Sequence, residues 1–487
     1  MKQLETLIQS LEYHLLQGEL SVEVGNICDN SKSVTQNDLF VALVGTGLDS
    51  HDFIGDAVSQ GARVVVVERE VELPPNVTVI RVASSRRAMA VLSQNFFDHP
   101  AKKLTTIAIT GTCGKTSTSY IMRNVLEKSG KKVGLIGTIG CFIEGKHFKT
   151  SNTTPSAYEI HGFLDQMVEA GCSHCVMEVS SQGIKMDRVY GITFDYGLFT
   201  NLSVDHIGTN EHENYEEYRH YKSLFFTQCK QGFLNVDTRD HEYISSHATC
   251  DLITFGLENQ GADLVGSDLV FSVGECDLST GFTVNGNRNF TINMAGKFSA
   301  YNALSVVSVA SALGISDEII SQGLLTSQVE GRAEIASHQY GYKIIIDYAH
   351  NYEEISNLIE TISHYEYGTM MCIFGGGGNR PKARRYDFGK AIGKFADLTI
   401  ITEDNPRFES FEEINEEIIR GLGESDGNYV VIQDRKEAIA HAVSTAKKGD
   451  IILLVGKGHE SYQDIRGVKH HWSEKEAIFE VEQAYHK

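Results

Sequence analysis

Residues 107–120 read IAITGTCGKTSTSY. Apolar residues, two of them β-branched isoleucines, run into Gly-Thr-Cys-Gly-Lys-Thr-Ser, and a segment compatible with a helix follows. A buried strand, a glycine turn and a helix N-terminus together aim backbone amides at an anion. Gly111 and Gly114 let the chain approach phosphate oxygens. Lys115 reaches the β/γ phosphates, and Thr116 offers a hydroxyl to Mg²⁺. The strict pattern G-x-x-x-x-G-K-[ST] asks for glycine where Ile109 stands. The spacing therefore predicts a tighter loop variant, Gly111, Thr112, Gly114, Lys115, Thr116 and Ser117, rather than a plain turn of small residues.

Outward from this loop the same grammar repeats. KVGLIGT, HCVMEVSS and YGLFTNL read as strands, and PSAYEIHGFLDQMVEAG and NYEEYRHYKSLFFTQC as helices. Such alternation predicts a mostly parallel α/β sheet. Residues 250–295 turn β-rich with glycine turns. From Gly331-Arg332 onward, YKIIIDYAH, MMCIFGGGG, ADLTIIT and DIILLVGKG are four apolar runs ending in polar or glycine-rich turns, a second doubly wound unit. Ligands collect beyond the carboxyl ends of such strands. Before the loop, DLFVALVGTGLDSHDFIGDAVSQG reads as strand, glycine loop and helix, and ARVVVVE as a buried strand. His99-Pro100 and two lysines read as a linker. The opening MKQLETLIQSLEYHLL reads as an amphipathic helix and carries no signal-peptide cleavage pattern.

The bulk numbers agree with a multidomain globular chain. There are 487 residues, 41% hydrophobic and 22% charged, with a formal net charge of −21. That charge disfavours broad nucleic-acid binding. No apolar run is long enough to cross a membrane. Nine scattered cysteines predict reduced thiols and a cytoplasmic setting. Cys172-Ser-His-Cys175 has no second ligand pair, so it predicts buried thiols rather than zinc.

Several residues carry candidate chemistry. Glu178, at a strand end among apolar neighbours, suits a Mg²⁺ ligand as well as a solvated carboxylate. Asp205 and His206 fit a turn or cap better than a metal site. Lys222 shares a helix face with Tyr218 and Phe225. Geometry favours snorkelling to water, against a desolvated amine able to take up CO₂ as a carbamate. Asp347 suits a ribose hydroxyl. Asp404, Asn405 and Arg407 suit a zwitterionic amino acid or a capped turn. GKGHE, holding Gly456 and Glu460, closes another strand.

TGTCGKTS, SNTTP, MEVSS, FTNLSVDH, EYRHYKSLF, DYAHN, DNPR and GKGHE follow one another in the order of the Mur ligases, which the chain resembles over nearly its whole length. The resemblance implies three domains: a UDP-sugar-binding domain over 1–100, a central P-loop-type ATPase over 101–330, and a Rossmann-like amino-acid-binding domain over 331–487. It implies ATP and Mg²⁺, with Thr116, Glu178, His206 and a carbamate on Lys222 as metal ligands. It implies catalytic roles for Lys115, Glu178, His206 and Lys222. Asn302 matches the adenine contact, Asp347 the ribose contact and Arg332 the hinge arginine. Ser31, Thr153, Thr154, Ser180 and Arg188 match residues that hold the UDP-sugar peptide. Asp404, Asn405, Arg407, Gly456 and Glu460 match those that hold the added amino acid. The resemblance implies a monomer acting on a UDP-MurNAc-dipeptide and a diamino acid, neither bound to nucleic acid nor inserted in a membrane. Gln182 stands at the family's usual histidine and Met186 at a usual glutamine. FSAYN, Ser31-Lys32 and the segment after Arg407 also depart from the pattern. A relative using lysine, or a folate-type polyglutamate ligase, are the alternative expectations.

Overall fold

A computed structural model describes residues 1–45, 49–205, 207–208, 211–273, 278–329, 331–350, 352–425 and 427–486. The chain divides into two compact units, Met1–Val265 with Leu304–Ile320, and Gly266–Ala303 with Ser321–Lys487.

Besides the two-stranded pair Lys2–Gln3 and Glu23–Val24, the first unit is built on two larger sheets. The smaller has the order His14–Gln17, Thr78–Arg81, Val64–Val67, Leu39–Val41 and Ile27–Cys28. Only its first pairing is antiparallel. The expected N-terminal helix is corrected here. Helix spans only Leu4–Leu7, and His14–Gln17 is a strand on Thr78–Arg81. Leu4 and Leu7 are buried while Leu15 and Leu16 are exposed, so the leucines do not share one face. A ladder to a distant strand overrides local propensity. The expected linker is a single 3-10 turn, Pro100–Lys103, running directly into the next sheet.

That second sheet places Val133–Gly137, His174–Glu178, Thr105–Thr110, Phe194–Phe199, Cys229–Asn235 and Asp251–Gly256 side by side, all parallel. The phosphate-loop strand thus lies in the interior, paired on both sides. Its carboxyl edge collects Thr110, Thr138, Glu178 and Asn201. The antiparallel strand Gly140–Ile143 flanks Val133–Gly137. Leu264 and Val265 pair with Asp251–Gly256 at the other edge.

In the second unit, Leu278–Val284 and Arg288–Ile292 form the expected antiparallel excursion. A six-stranded sheet follows, in the order Glu334–Ser337, Lys343–Asp347, Ile451–Val455, Met370–Phe374, Leu398–Ile401 and Tyr429–Val431. All but the first pairing are parallel. Ile345 enters one core and Ile344 and Ile346 another. Both faces of the sheet are covered, which is why its strands read as unbroken apolar runs. Among the described residues no helix is long and apolar enough to cross a membrane.

Candidate functional site

The loop after Thr105–Thr110 turns on two glycines that need their conformations. Gly111 has φ +147°, and a Cβ there would meet Thr200 Oγ1 at 2.0 Å. Gly114, at φ +83°, precedes helix Lys115–Lys128. The neighbouring strand end clamps the loop. Asn201 Oδ1 accepts from Cys113 N at 2.9 Å, and Thr200 Oγ1 donates to Cys113 O at 2.7 Å. Thr112 Oγ1 shares a 2.8 Å hydrogen bond with Tyr218 OH. Thr116 and Ser117 are buried in the first helical turn. Lys115 folds back, donating to Gly111 O and Thr112 O at 2.8 Å each. Carbonyls that hold an ammonium in this way release it readily to a better anion.

Glu178 is fully buried. Thr116 Oγ1 and Thr138 Oγ1 each donate to its Oε2 at 3.0 Å, and Thr138 N donates to Oε1 at 3.1 Å. Burial raises its pKa, while Lys115 and the Thr138 and Thr116 hydrogen bonds pull it down. The solvated-carboxylate alternative is therefore excluded.

Lys222 is 1% exposed. Its Nζ donates to Thr110 Oγ1 at 2.9 Å and Gly111 O at 2.8 Å. The snorkelling expectation is corrected: the ammonium ends beneath the phosphate loop, not in water. Its Nζ lies 5.7 Å from the Tyr218 ring centroid, and Tyr218, Phe225 and Phe226, the aromatic face the sequence suggested, are all buried. Burial and then Lys115 depress its pKa well below that of an ordinary lysine. His206 lies outside the described residues, as does any ligand set that includes it.

A second cluster adjoins Glu178. Thr154 Oγ1 donates to Glu178 O at 3.0 Å, Ser180 N donates to Thr154 Oγ1 at 2.9 Å, and Arg188 donates to Thr154 O at 2.7 Å. Thr153 and Thr138 hydroxyls lie 3.0 Å apart. Ser31 sits in the short 3-10 turn Ser31–Ser33 of the smaller sheet's region. Met186, at a departure position, contacts the Arg86 guanidinium through its sulfur at 2.6 Å.

The second unit carries its own cluster. Asp347 accepts from Ala333 N and Ala349 N at 2.6 Å each, and burial raises its pKa against the pull of Arg332. Arg332 lies over the Tyr348 ring. Asn302 is buried on helix Gly296–Ala312. Asn405 donates to Glu460 Oε2 at 2.9 Å. Gly456 has φ +107°, and a Cβ there would meet Asp404 Oδ2 at 2.9 Å. Arg407 donates to Gly378 O at 2.6 Å and remains partly exposed. Lys457, not singled out as a contact in the sequence, is fully buried, with Asp404 at 3.3 Å and Glu460 at 3.5 Å. One cation faces two carboxylates, and Glu460 is pushed up by burial and by Asp404.

Thr138, Thr200, Asn201 and Lys457 are the residues sequence reasoning missed. The motifs GLIGT, FTN and GKGHE contain them, but only pairing across strands shows what they hold. Cys172 and Cys175 are buried free thiols, as expected.

Domain comparisons match in chain order: Mur ligase family, catalytic domain, over residues 23–97; Mur ligase middle domain over 109–310; and Mur ligase, glutamate ligase domain, over 331–458. The chain belongs to the Mur ligase family. Within it, the chain is 39% identical over 481 residues to UDP-N-acetylmuramoyl-L-alanyl-D-glutamate--2,6-diaminopimelate ligase 1 of Clostridium acetobutylicum, covering 98% of both. It is 36% identical over 490 residues to the Clostridium perfringens ligase of the same activity, covering 98% of this chain and 99% of that one. A solved UDP-N-acetylmuramoyl-L-alanyl-D-glutamate--2,6-diaminopimelate ligase shares the fold, with TM-score 0.71 at 24% identity, covering 100% of this chain and 99% of that one.

Proposed function

We propose that the chain is an ATP-dependent amide ligase that joins meso-diaminopimelate to the D-Glu carboxylate of UDP-MurNAc-L-Ala-D-Glu, in the making of peptidoglycan precursor. Full-length likeness to ligases of that name supports the reading. The observation that carries it is the fully buried Glu178, held beside a Gly-Lys-Thr loop by Thr116 and Thr138.

A carboxylate resists attack by an amine until one of its oxygens becomes a leaving group. Transfer of the γ-phosphoryl of ATP gives an acyl phosphate and ADP. The amine then attacks the acyl carbon, and the tetrahedral intermediate expels phosphate as the amide forms. The obstacle is charge, because two anions must meet. Lys115 supplies one cation on leaving the Gly111 and Thr112 carbonyls, and the loop amides from Gly111 to Ser117 add partial charge. Thr116 and Glu178 would hold one Mg²⁺, whose chemistry is to neutralise the facing anions. Their fit rests on the hydroxyl and carboxylate oxygens already meeting at 3.0 Å. A neutral, buried Lys222 amine is the form that adds CO₂ and loses a proton to become a carbamate, a second oxygen donor set with His206. Asn302, Arg332 and Asp347 hold the nucleoside; Asp347 keeps lone pairs free beyond its two backbone donors. Ser31, Thr153, Thr154, Ser180 and Arg188 hold the UDP-sugar peptide. The first hundred residues serve the UDP-sugar, residues 101–330 ATP, and 331–487 the amino acid.

The test is phosphate release. It should require ATP, UDP-MurNAc-L-Ala-D-Glu and diaminopimelate together, and Lys115→Ala should lower it by about 10³-fold while circular dichroism is unchanged. Release independent of the UDP-dipeptide, or full turnover by Lys115→Ala, refutes the reading.

A further inference from the structure

Thr138 supplies two of the hydrogen bonds that fix Glu178, one from its amide and one from its hydroxyl. The preceding residue is shaped for the same purpose. A Cβ on Gly137 would meet Glu178 Oε1 at 2.2 Å, so only glycine lets the carboxylate lie against this strand. The Thr138 hydroxyl also meets Thr153 Oγ1 at 3.0 Å.

Proton bookkeeping orders these contacts. A hydroxyl carries one proton and two lone pairs. Thr138 spends its proton on Glu178 Oε2, because an ionised carboxylate only accepts. The Thr153 hydroxyl must then donate to Thr138. Its own lone pairs and amide are left for a ligand. The result is a directed chain, Thr153 to Thr138 to Glu178, with Thr116 also donating to the same carboxylate oxygen at 3.0 Å. A donor placed on Thr153 polarises every later bond and strengthens the hold on the carboxylate anion.

We propose that Thr138 is a positioning residue that couples the peptide-binding loop at Thr153 to the carboxylate at Glu178, so that the UDP-dipeptide and Mg–nucleotide each tighten binding of the other. This rests on the reading of Glu178 and Thr153 given under the proposed function. The coupling is reciprocal by linkage, and a magnitude of about 10-fold is typical of such pairs.

The experiment is calorimetric titration of the whole protein with Mg–ADP and with a non-hydrolysable Mg–ATP analogue, with and without UDP-MurNAc-L-Ala-D-Glu. Wild type should bind Mg–nucleotide about 10-fold more tightly when the UDP-dipeptide is present. Thr138→Val removes the hydroxyl at near-constant volume and should bring that factor close to one. Thr138→Ser should restore it, which a merely space-filling role would not. If Thr138→Val is too unstable to purify, Thr138→Ala makes the same deletion without the crowding. No coupling in wild type, or unchanged coupling in Thr138→Val or Thr138→Ala, overturns the proposal. Failure of Thr138→Ser to restore it in a folded protein does the same. No Mg–nucleotide binding by wild type at all overturns the reading of the site, and the coupling with it.

Discussion

At the scale of single residues, Lys222 is the place where burial decides the chemistry. A snorkelling lysine keeps its charge in water, whereas this one is buried and ends on Thr110 and Gly111, near the Tyr218 ring. Desolvation and the nearby Lys115 both disfavour the ammonium. The neutral amine is nucleophilic, and it is the form from which the proposed carbamate starts. Lys222→Ala should lower kcat by about 10²–10³-fold, the scale of losing one pre-set charge in an active site. Acetate or propionate at millimolar concentration should restore part of the rate by filling the vacated oxygen position. Native mass spectrometry should show one added CO₂ on wild type and none on the variant. Wild-type activity with a free ammonium at Lys222 would refute the assignment.

At the scale of elements, the sheet interiors were legible and the contacts between strand ends were not. IAIT, VMEV, GLF and IIID announce buried parallel strands because both of their faces are covered. The short strand at His14–Gln17 was not legible, since its partner lies about sixty residues away and its leucines mimic a helix face. Glu178 could be placed at a strand end, but Thr138, which fixes it, lies forty residues earlier, and only the sheet order brings them together. Helix Ala157–Glu169 shows a consequence of the same kind. A capping box at Ser156 and Glu159 opens it, and it buries Ile160, His161 and Leu164 on one face. His161 is 1% exposed, and among the described residues neither ring nitrogen has a hydrogen-bond partner. Burial, with His99 adding a smaller push, lowers its pKa from 6.5 to about 3. The unfolded chain therefore takes up a proton below pH 6.5 that the folded chain refuses until about pH 3, and stability falls as pH drops through that window. At pH 5 the loss from this one group is about 2 kcal/mol. Between pH 7 and 5, denaturant titration should show His161→Leu losing about 2 kcal/mol less stability than wild type. Parallel curves for the two proteins would show that His161 does not titrate in this way.

At the scale of the whole molecule, the proposed function gives the two units different parts of the chemistry, and each can be tested without the other's step. The phosphate loop, Glu178 and Lys222 belong to the first unit, while Asp404, Asn405, Arg407, Lys457 and Glu460 belong to the second. In that second cluster the charges have the pattern of an amino acid's complement. Buried Lys457 faces both Asp404 and Glu460, leaving excess negative charge suited to an ammonium. Arg407 is partly exposed and bonded to a neutral carbonyl, with Asp464 no nearer than 3.9 Å, so its charge is available to a carboxylate. Meso-diaminopimelate and lysine differ by one distal carboxylate, and a guanidinium pairs with that group in a directional, bidentate way. Lysine forgoes that guanidinium–carboxylate pair, which should penalise it by roughly 2–4 kcal/mol, or some 30- to 1000-fold in kcat/KM. Competition between the two amino acids in one turnover assay measures this directly. Arg407→Ala should erase the preference chiefly by slowing diaminopimelate. The acyl phosphate, trapped with hydroxylamine in the absence of any amino acid, should form at the wild-type rate in that variant, because its formation precedes amine attack. Equal use of lysine by wild type, or an unchanged preference in Arg407→Ala, would assign the selection to another feature of the loop, with the exposed Phe408 next to be varied.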